Sequence, residues 1–191
     1  MKRLFVDIES TGLQPNKHQV LSVGLLLVDV DKDKLELVDK QEILIKHDDY
    51  VIQLAALKVN NIDLVEHDKN GRCVDVEEAC RLIGVFMDKN SLHFEVFCGH
   101  NISFDINFLK SLFEPTETMY PFHYQSIDTM SLWFSLMNAG KIPNTRGSSL
   151  TKIADYFKVD RINAHSALED CWITAKIYQK MLKEMEKDAK T

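Results

Sequence analysis

The sequence has no cysteine pair at CxxC spacing, no apolar run long enough to span a membrane and no excess of positive charge. Each lack excludes something. The four cysteines, Cys73, Cys80, Cys98 and Cys171, follow no zinc-site spacing, so they read as reduced, mostly buried thiols of a cytoplasmic protein. "MKRLFVDIE" carries two basic residues but no apolar leader segment, so neither a signal peptide nor a membrane span is expected. A net charge of -6 argues against a broad basic groove for duplex nucleic acid, yet leaves room for a small acidic site that holds cations. Repeats, low-complexity tracts and linkers are missing as well.

What is present suits a folded domain. Of 191 residues 45% are hydrophobic, enough for one compact core. The expectation is a single domain over 1–185, followed by the solvated end "EKDAKT" at 186–191. Residues 3–9, 19–30 and 35–46 read as strands, and "DVDKDK" at 29–34 as a hairpin turn that makes the second and third antiparallel. "DVEEACRLIGVFMDK" repeats its apolar residues at helical spacing. A short strand at 94–99, a helix at 101–113, a strand at 124–129 and helices through "MSLWFSLM", "SSLTKIADYF" and 167–185 follow. Early strands followed by alternating helices and strands predict an α/β fold, a mixed sheet with helices on its faces.

Carboxylates stand out within that frame. Asp7 and Glu9 are two apart in the first strand, so they share one face, roughly 6.6 Å apart along the chain. A half-buried strand with one wet face explains this pair equally well, and the same DxE at Asp75 and Glu77 belongs to a helix start, with Asp75 and Glu78 as a capping box. Asp105 is harder to dismiss. It falls within the apolar stripe of Ile102, Ile106, Leu109 and Phe113, where a carboxylate must be protonated, paired or close to a cation. In "NAHSALEDC", Ser166 and Glu169 form a capping box. That places His165 in the loop before the helix and Asp170 in its first turn, where the helix dipole favours an anion. The five-residue His–Asp spacing itself carries no weight, because His100 with Asp105 and His123 with Asp128 repeat it.

Converging carboxylates repel unless divalent cations lie between them, and oxygen-only ligands suit Mg²⁺ or Mn²⁺. Two such ions about 3.5–4 Å apart are the usual apparatus for displacement at phosphorus, with a histidine able to accept the proton of an attacking water.

With "VDIESTGL", "GHNISFDINFL" and "AHSALEDC" in order, the sequence resembles the DEDDh branch of the 3′→5′ exonucleases, the ribonuclease T and polymerase-proofreading-subunit kind. "AALKVNNI" (55–62) is similar to a segment these enzymes carry between their first two motifs. The resemblance implies a ribonuclease-H-like fold with a central mixed five-stranded sheet. It also implies hydrolysis of single-stranded DNA or RNA at the 3′ end to nucleoside 5′-monophosphates. By the same resemblance Asp7, Glu9, Asp105 and Asp170 hold two cations, Mg²⁺ or Mn²⁺, and His165 is the general base. Ser10, Thr11, Gly12 and Leu13 would line the pocket for the terminal nucleotide, with Gly12 allowing close backbone approach.

Phe104 either stacks on a base or belongs to the core, and His100 is read as structural. Lys141, Arg146, Lys152, Lys158 and Arg161 are a loose basic group, either tracking a strand or ordinary surface charge. A homodimer is open to such a chain, and a stand-alone enzyme with no fused polymerase is the expectation. Two other readings stand beside the exonuclease: an oligoribonuclease-like hydrolase of very short oligonucleotides, and a non-catalytic nucleic-acid-binding domain on the same fold.

Overall fold

A computed structural model describes residues 1–92, 96–161 and 166–187. Three strands come first: β1 (Lys2–Ser10), β2 (Val20–Val30) and β3 (Leu35–Leu44). The helices α1 (Leu54–Asn60), α2 (Leu64–Lys69) and α3 (Val76–Lys89) follow. Then β4 (Phe97–Gly99) and β5 (Ser126–Asp128) alternate with α4 (Ser103–Phe113), α5 (Thr129–Asn138), α6 (Leu150–Phe157) and α7 (Ala167–Glu186). The five strands form one mixed sheet in the order β3-β2-β1-β4-β5. β1, β2 and β3 pair antiparallel, whereas β4 and β5 run parallel to β1. The β2–β3 hairpin is closed as its sequence implies: Asp31 Oδ1 accepts from the N–H groups of Asp33 at 2.8 Å and Lys34 at 2.9 Å.

One face of β1 is buried along its length, and the other is covered at Phe5 while Asp7 and Glu9 beyond it stay half-buried. Leu4, Val6 and Ile8 pack with α3 and α4 residues such as Ile83, Phe86, Phe108 and Leu109. Phe5, on the carboxylate face, is buried with Leu26, Val28 and Cys98 against Cys171, Ala175 and Tyr178 of α7. The rings of Phe5 and Tyr178 meet edge to face at 5.7 Å. A third cluster joins α5, α6 and α7 around Trp133, Ile153 and Ile177.

The two helices α1 and α2 were not expected. Neither shows an apolar period, and each buries one residue, the polar Asn60 and His67. The short strands β4 and β5 span three residues each, less than the sequence implied, and residues 93–95 lie outside the described ones. The expected Asp75–Glu78 box is half made. Asp75 accepts from the Glu78 N–H at 2.8 Å, but the Glu78 carboxylate turns to Arg81 in a bidentate pair at 2.6 and 2.7 Å. Among the described residues no helix is long and apolar enough to cross a membrane.

Candidate active site

The site grows from the end of β1. β4 pairs with β1 only at Leu4 and Phe5, so further along the strand the backbone must find other partners. The N–H of Ile8 donates to Asp105 Oδ1 of α4 at 3.0 Å. This bond fixes Asp105, 4% exposed, beside the strand. Burial pushes its carboxyl well above the usual range, and the Ile8 N–H draws it partly back.

On the opposite face α7 supplies the third carboxylate. Its start is set by Ser166, whose hydroxyl accepts from the Glu169 N–H at 3.2 Å, and Asp170 lies in the first turn. The helix reaches the sheet because residue 24, paired with Asp7 in β2, is glycine. A Cβ on Gly24 would stand 2.5 Å from the carbonyl carbon of Ala167 and 2.6 Å from the Leu168 nitrogen. Cys171, one residue beyond Asp170, sits with its Sγ 3.4 Å from the Gly24 carbonyl. An isolated glycine inside an apolar strand is the sequence signal that would have found this close approach.

Asp7, Glu9 and Asp170 thus converge, each offering an oxygen within 4.8 Å of the other two. Burial, then the charges of Asp105, Glu9 and Asp170, raise Asp7 well above its ordinary pKa. Glu9 is pushed up to about 7 by burial and by Asp170, while the nearby Asn60 amide draws it down. The Arg161 guanidinium approaches Asp170 at 3.9 Å and also bonds the Thr151 hydroxyl. Among the described residues, Asp105 is not part of the converging group. Asp7 and Glu9, pushed toward the protonated form by burial and neighbouring charge, offer with Asp170 a set of hard oxygen donors that fits a divalent cation of the Mg²⁺ or Mn²⁺ type. His165 lies outside the described residues.

Next to the carboxylates is a cavity of about 260 Å³, walled mostly by apolar atoms. Ser10, Leu13 and Phe104 line it, together with Ile8 and Glu9 from β1. The far wall, which sequence reasoning missed, is α1 and the residue before it: Gln53, Ala55, Ala56, Val59 and Asn60. The resemblance of 55–62 pointed to that segment without revealing what it faces. Thr11 and Gly12 do not line this cavity. Thr11 is fully buried, its hydroxyl accepting from the Gln19 N–H at 2.9 Å. At Gly12 a Cβ would meet the His18 ring at 2.3 Å, so the space a side chain would fill is taken from within the chain. The Phe104 ring packs on Phe108 at 4.8 Å and also borders the cavity.

His100 has both ring nitrogens engaged, Nδ1 with the Thr129 hydroxyl at 3.0 Å and Nε2 with the Ser148 carbonyl at 2.8 Å. Burial holds its pKa below the ordinary value. It ties the end of β4 to the loop before α6.

The sequence model of the exonuclease family, the RNase T group, matches residues 4–178. The chain belongs to the exonuclease family. Its motifs resemble those of DEDDh-type 3′→5′ exonucleases, and its five-stranded mixed sheet is the ribonuclease-H-like fold. It is 29% identical over 185 residues to the 3′-5′ exonuclease DinG of Staphylococcus epidermidis, covering 95% of this chain and 18% of that protein. The chain therefore spans about a fifth of the length of the curated relatives it matches. The nuclease domain of 3′hExo, a DEDDh family member bound to rAMP, superposes with a TM-score of 0.74 at 17% identity, over 96% of this chain and 92% of that one. Escherichia coli Exonuclease I in complex with a dT13 oligonucleotide gives a TM-score of 0.73 at 17% identity, over 93% of this chain and 40% of that one. The exonuclease family is divalent-metal dependent, and the carboxylate cluster fits that dependence.

Proposed function

We propose that this exonuclease domain removes nucleoside 5′-monophosphates one at a time from the 3′ end of single-stranded DNA or RNA, using two divalent cations, Mg²⁺ or Mn²⁺. One observation carries the reading: Glu9 belongs to the converging carboxylates and also lines the apolar cavity, so a nucleotide seated there has its phosphate beside the acidic group.

In this reading Asp7, Glu9 and Asp170 hold the cations, with Asp105 supporting from α4. The chemistry that bound divalent cations supply is Lewis acidity, which polarises the phosphodiester and makes water a stronger nucleophile at neutral pH. His165, in the segment before α7, accepts the proton of the attacking water. Leu13, Ala56, Val59 and Phe104 enclose the terminal base through apolar contact, and Ser10 borders its sugar. The oligonucleotide bound to Exonuclease I agrees with a single-stranded substrate for the present chain.

The test uses 5′-labelled single-stranded DNA and RNA with Mg²⁺, Mn²⁺ or EDTA. A ladder shortening from the 3′ end is expected in the metal lanes only, and His165→Ala should slow it by about 10²–10⁴. Intact oligomers in every metal lane would sink the reading.

A further inference from the structure

α1 is the wall of the cavity least secured by packing. Leu54 is 73% exposed and Val59 68%, and only Asn60 is buried, at 4% exposure. Polar bonds to the end of β1 hold the helix instead. The Gln53 N–H donates to the Thr11 carbonyl at 2.8 Å, the Leu13 N–H donates to Gln53 Oε1 at 3.2 Å, and Asn60 Nδ2 donates to the Ser10 carbonyl at 3.0 Å.

Asn60 differs from the other contacts. Its Oδ1 accepts from the Ile62 N–H at 3.2 Å, across Asn61 in the left-handed region at φ 53°. Both ends of the amide are therefore fixed, and its NH₂ is aimed at the strand. A buried amide is costly unless its hydrogen bonds are made, and packing α1 against β1 would be met equally well by an apolar side chain. The Ser10 carbonyl it grips is one residue beyond Glu9, and both Asn60 and Glu9 face the cavity. The same amide is near enough to the Glu9 carboxylate to draw its pKa down.

Resting on the proposed function, we infer that Asn60 is a positioning residue: it orients Glu9 for the divalent cation and fixes α1, the wall against the nucleotide, to the same point of β1. Groups that orient metal ligands typically contribute about 10–100-fold in metal affinity or activity, and a bond between fixed elements sets geometry where a loop alone would not.

Calorimetric titration of the wild-type chain, Asn60→Ala and Gln53→Ala with Mn²⁺ tests this, beside kcat and KM on a labelled oligonucleotide. Asn60→Ala should weaken Mn²⁺ binding at least fivefold and lower kcat more than it raises KM. Gln53→Ala cuts a strap on α1 without touching Glu9, and should leave Mn²⁺ affinity within twofold of wild type. Thermal melts check each fold, and Asn60→Ser, too short to reach the Ser10 carbonyl, replaces Asn60→Ala if that variant fails to fold. Wild-type affinity in the Asn60 variant, or equal weakening by Gln53→Ala, overturns the inference and reduces Asn60 to an anchor of α1. A wild-type chain that binds Mn²⁺ but cuts no oligonucleotide overturns the proposed function alone. One that binds no Mn²⁺ overturns both.

Discussion

The carboxylates are held between two helices of opposite construction. α7 is 20 residues long, buries eight of them, and lies on β1 and β2 so closely that Gly24 has no room for a methyl group. α1 is seven residues long, buries one, and is tied by hydrogen bonds at its two ends. The helix that carries Asp170 of the converging group is thus set by backbone contact and apolar packing. The helix that walls the cavity is set by a few polar bonds and leaves its apolar side chains open to solvent. On the proposed function, ion spacing tolerates little movement, whereas a wall that accepts different bases gains from compliance.

The sharpest way to separate the two sides is to remove the carboxylate that α7 brings. Asp170→Ala should abolish cleavage in the oligonucleotide assay, yet raise the thermal midpoint of the metal-free chain at pH 8, because repulsion among the buried acids is relieved. A lower midpoint there would contradict the charge argument.

Gly24→Ala should come next in effect. The added methyl meets backbone atoms of Ala167 and Leu168, which cannot rotate away, so the first turn of α7 must shift. Overpacking of this kind costs about 1–3 kcal/mol, seen as an earlier denaturant midpoint, and the displaced Asp170 should lower the rate at least tenfold. Normal turnover in a destabilised variant would show that α7 tolerates more movement than its packing suggests.

The charge of the site also predicts a pH trend. Folded, Glu9 keeps its proton up to about pH 7, while in the unfolded chain it loses it near 4.5. The unfolded state therefore binds fewer protons through this window, and metal-free stability falls as pH rises from about 4.5 to beyond 7. Asp7 and Asp105, also raised, push the same way. Thermal midpoints in EDTA should drop from pH 5 to pH 8, and Mn²⁺ should restore more at pH 8 than at pH 5. A flat profile would place these acids in a wetter site.

On the α1 side the effects should be small. Leu54→Ser, at a residue outside the cavity lining and largely in solvent, should change stability by no more than about 0.5 kcal/mol in denaturant melts. A larger loss would mean that α1 is covered in a way its exposure does not suggest.

The difference between the helices also explains what could be read from the sequence. α7 announced itself through Ser166, and α4 through a stripe that Asp105 interrupts, since capping and periodicity are local signals. α1 gave no such signal because its order comes from a partner distant in sequence, Asn60 on Ser10. α2 carries a local cap, Asp63 accepting from the Val65 and Glu66 N–H groups, that was overlooked, and His67 adds a distant bond to the Ile45 carbonyl at 2.8 Å. Asp7 and Glu9 were visible as a pair, but the cover over them was not. Phe5, on the same face, was the overlooked sign. Of the cavity wall, Ser10, Leu13 and Phe104 could be named beforehand, whereas Thr11 and Gly12 are taken up by Gln19 and His18. Those contacts depend on a loop closure that no local pattern reveals.

The ladder between β1 and β2 slips once: Glu9 pairs with Ser22 and Ser10 with Val20, leaving Leu21 without an opposite number. The carbonyl of Leu21 is taken by the Ile45 N–H at 2.8 Å, so the irregularity is locked from the far side. This makes the two ends of the sheet unequal in how they tolerate changes of chain length. At the Asp31–Lys34 hairpin, added residues only lengthen an exposed turn. Within β1, one residue gained or lost would exchange the two faces of the strand and aim Val6 and Ile8 where the carboxylates belong. Relatives and engineered variants can therefore drift in length at the hairpin, while the count from Lys2 to Ser10 stays fixed.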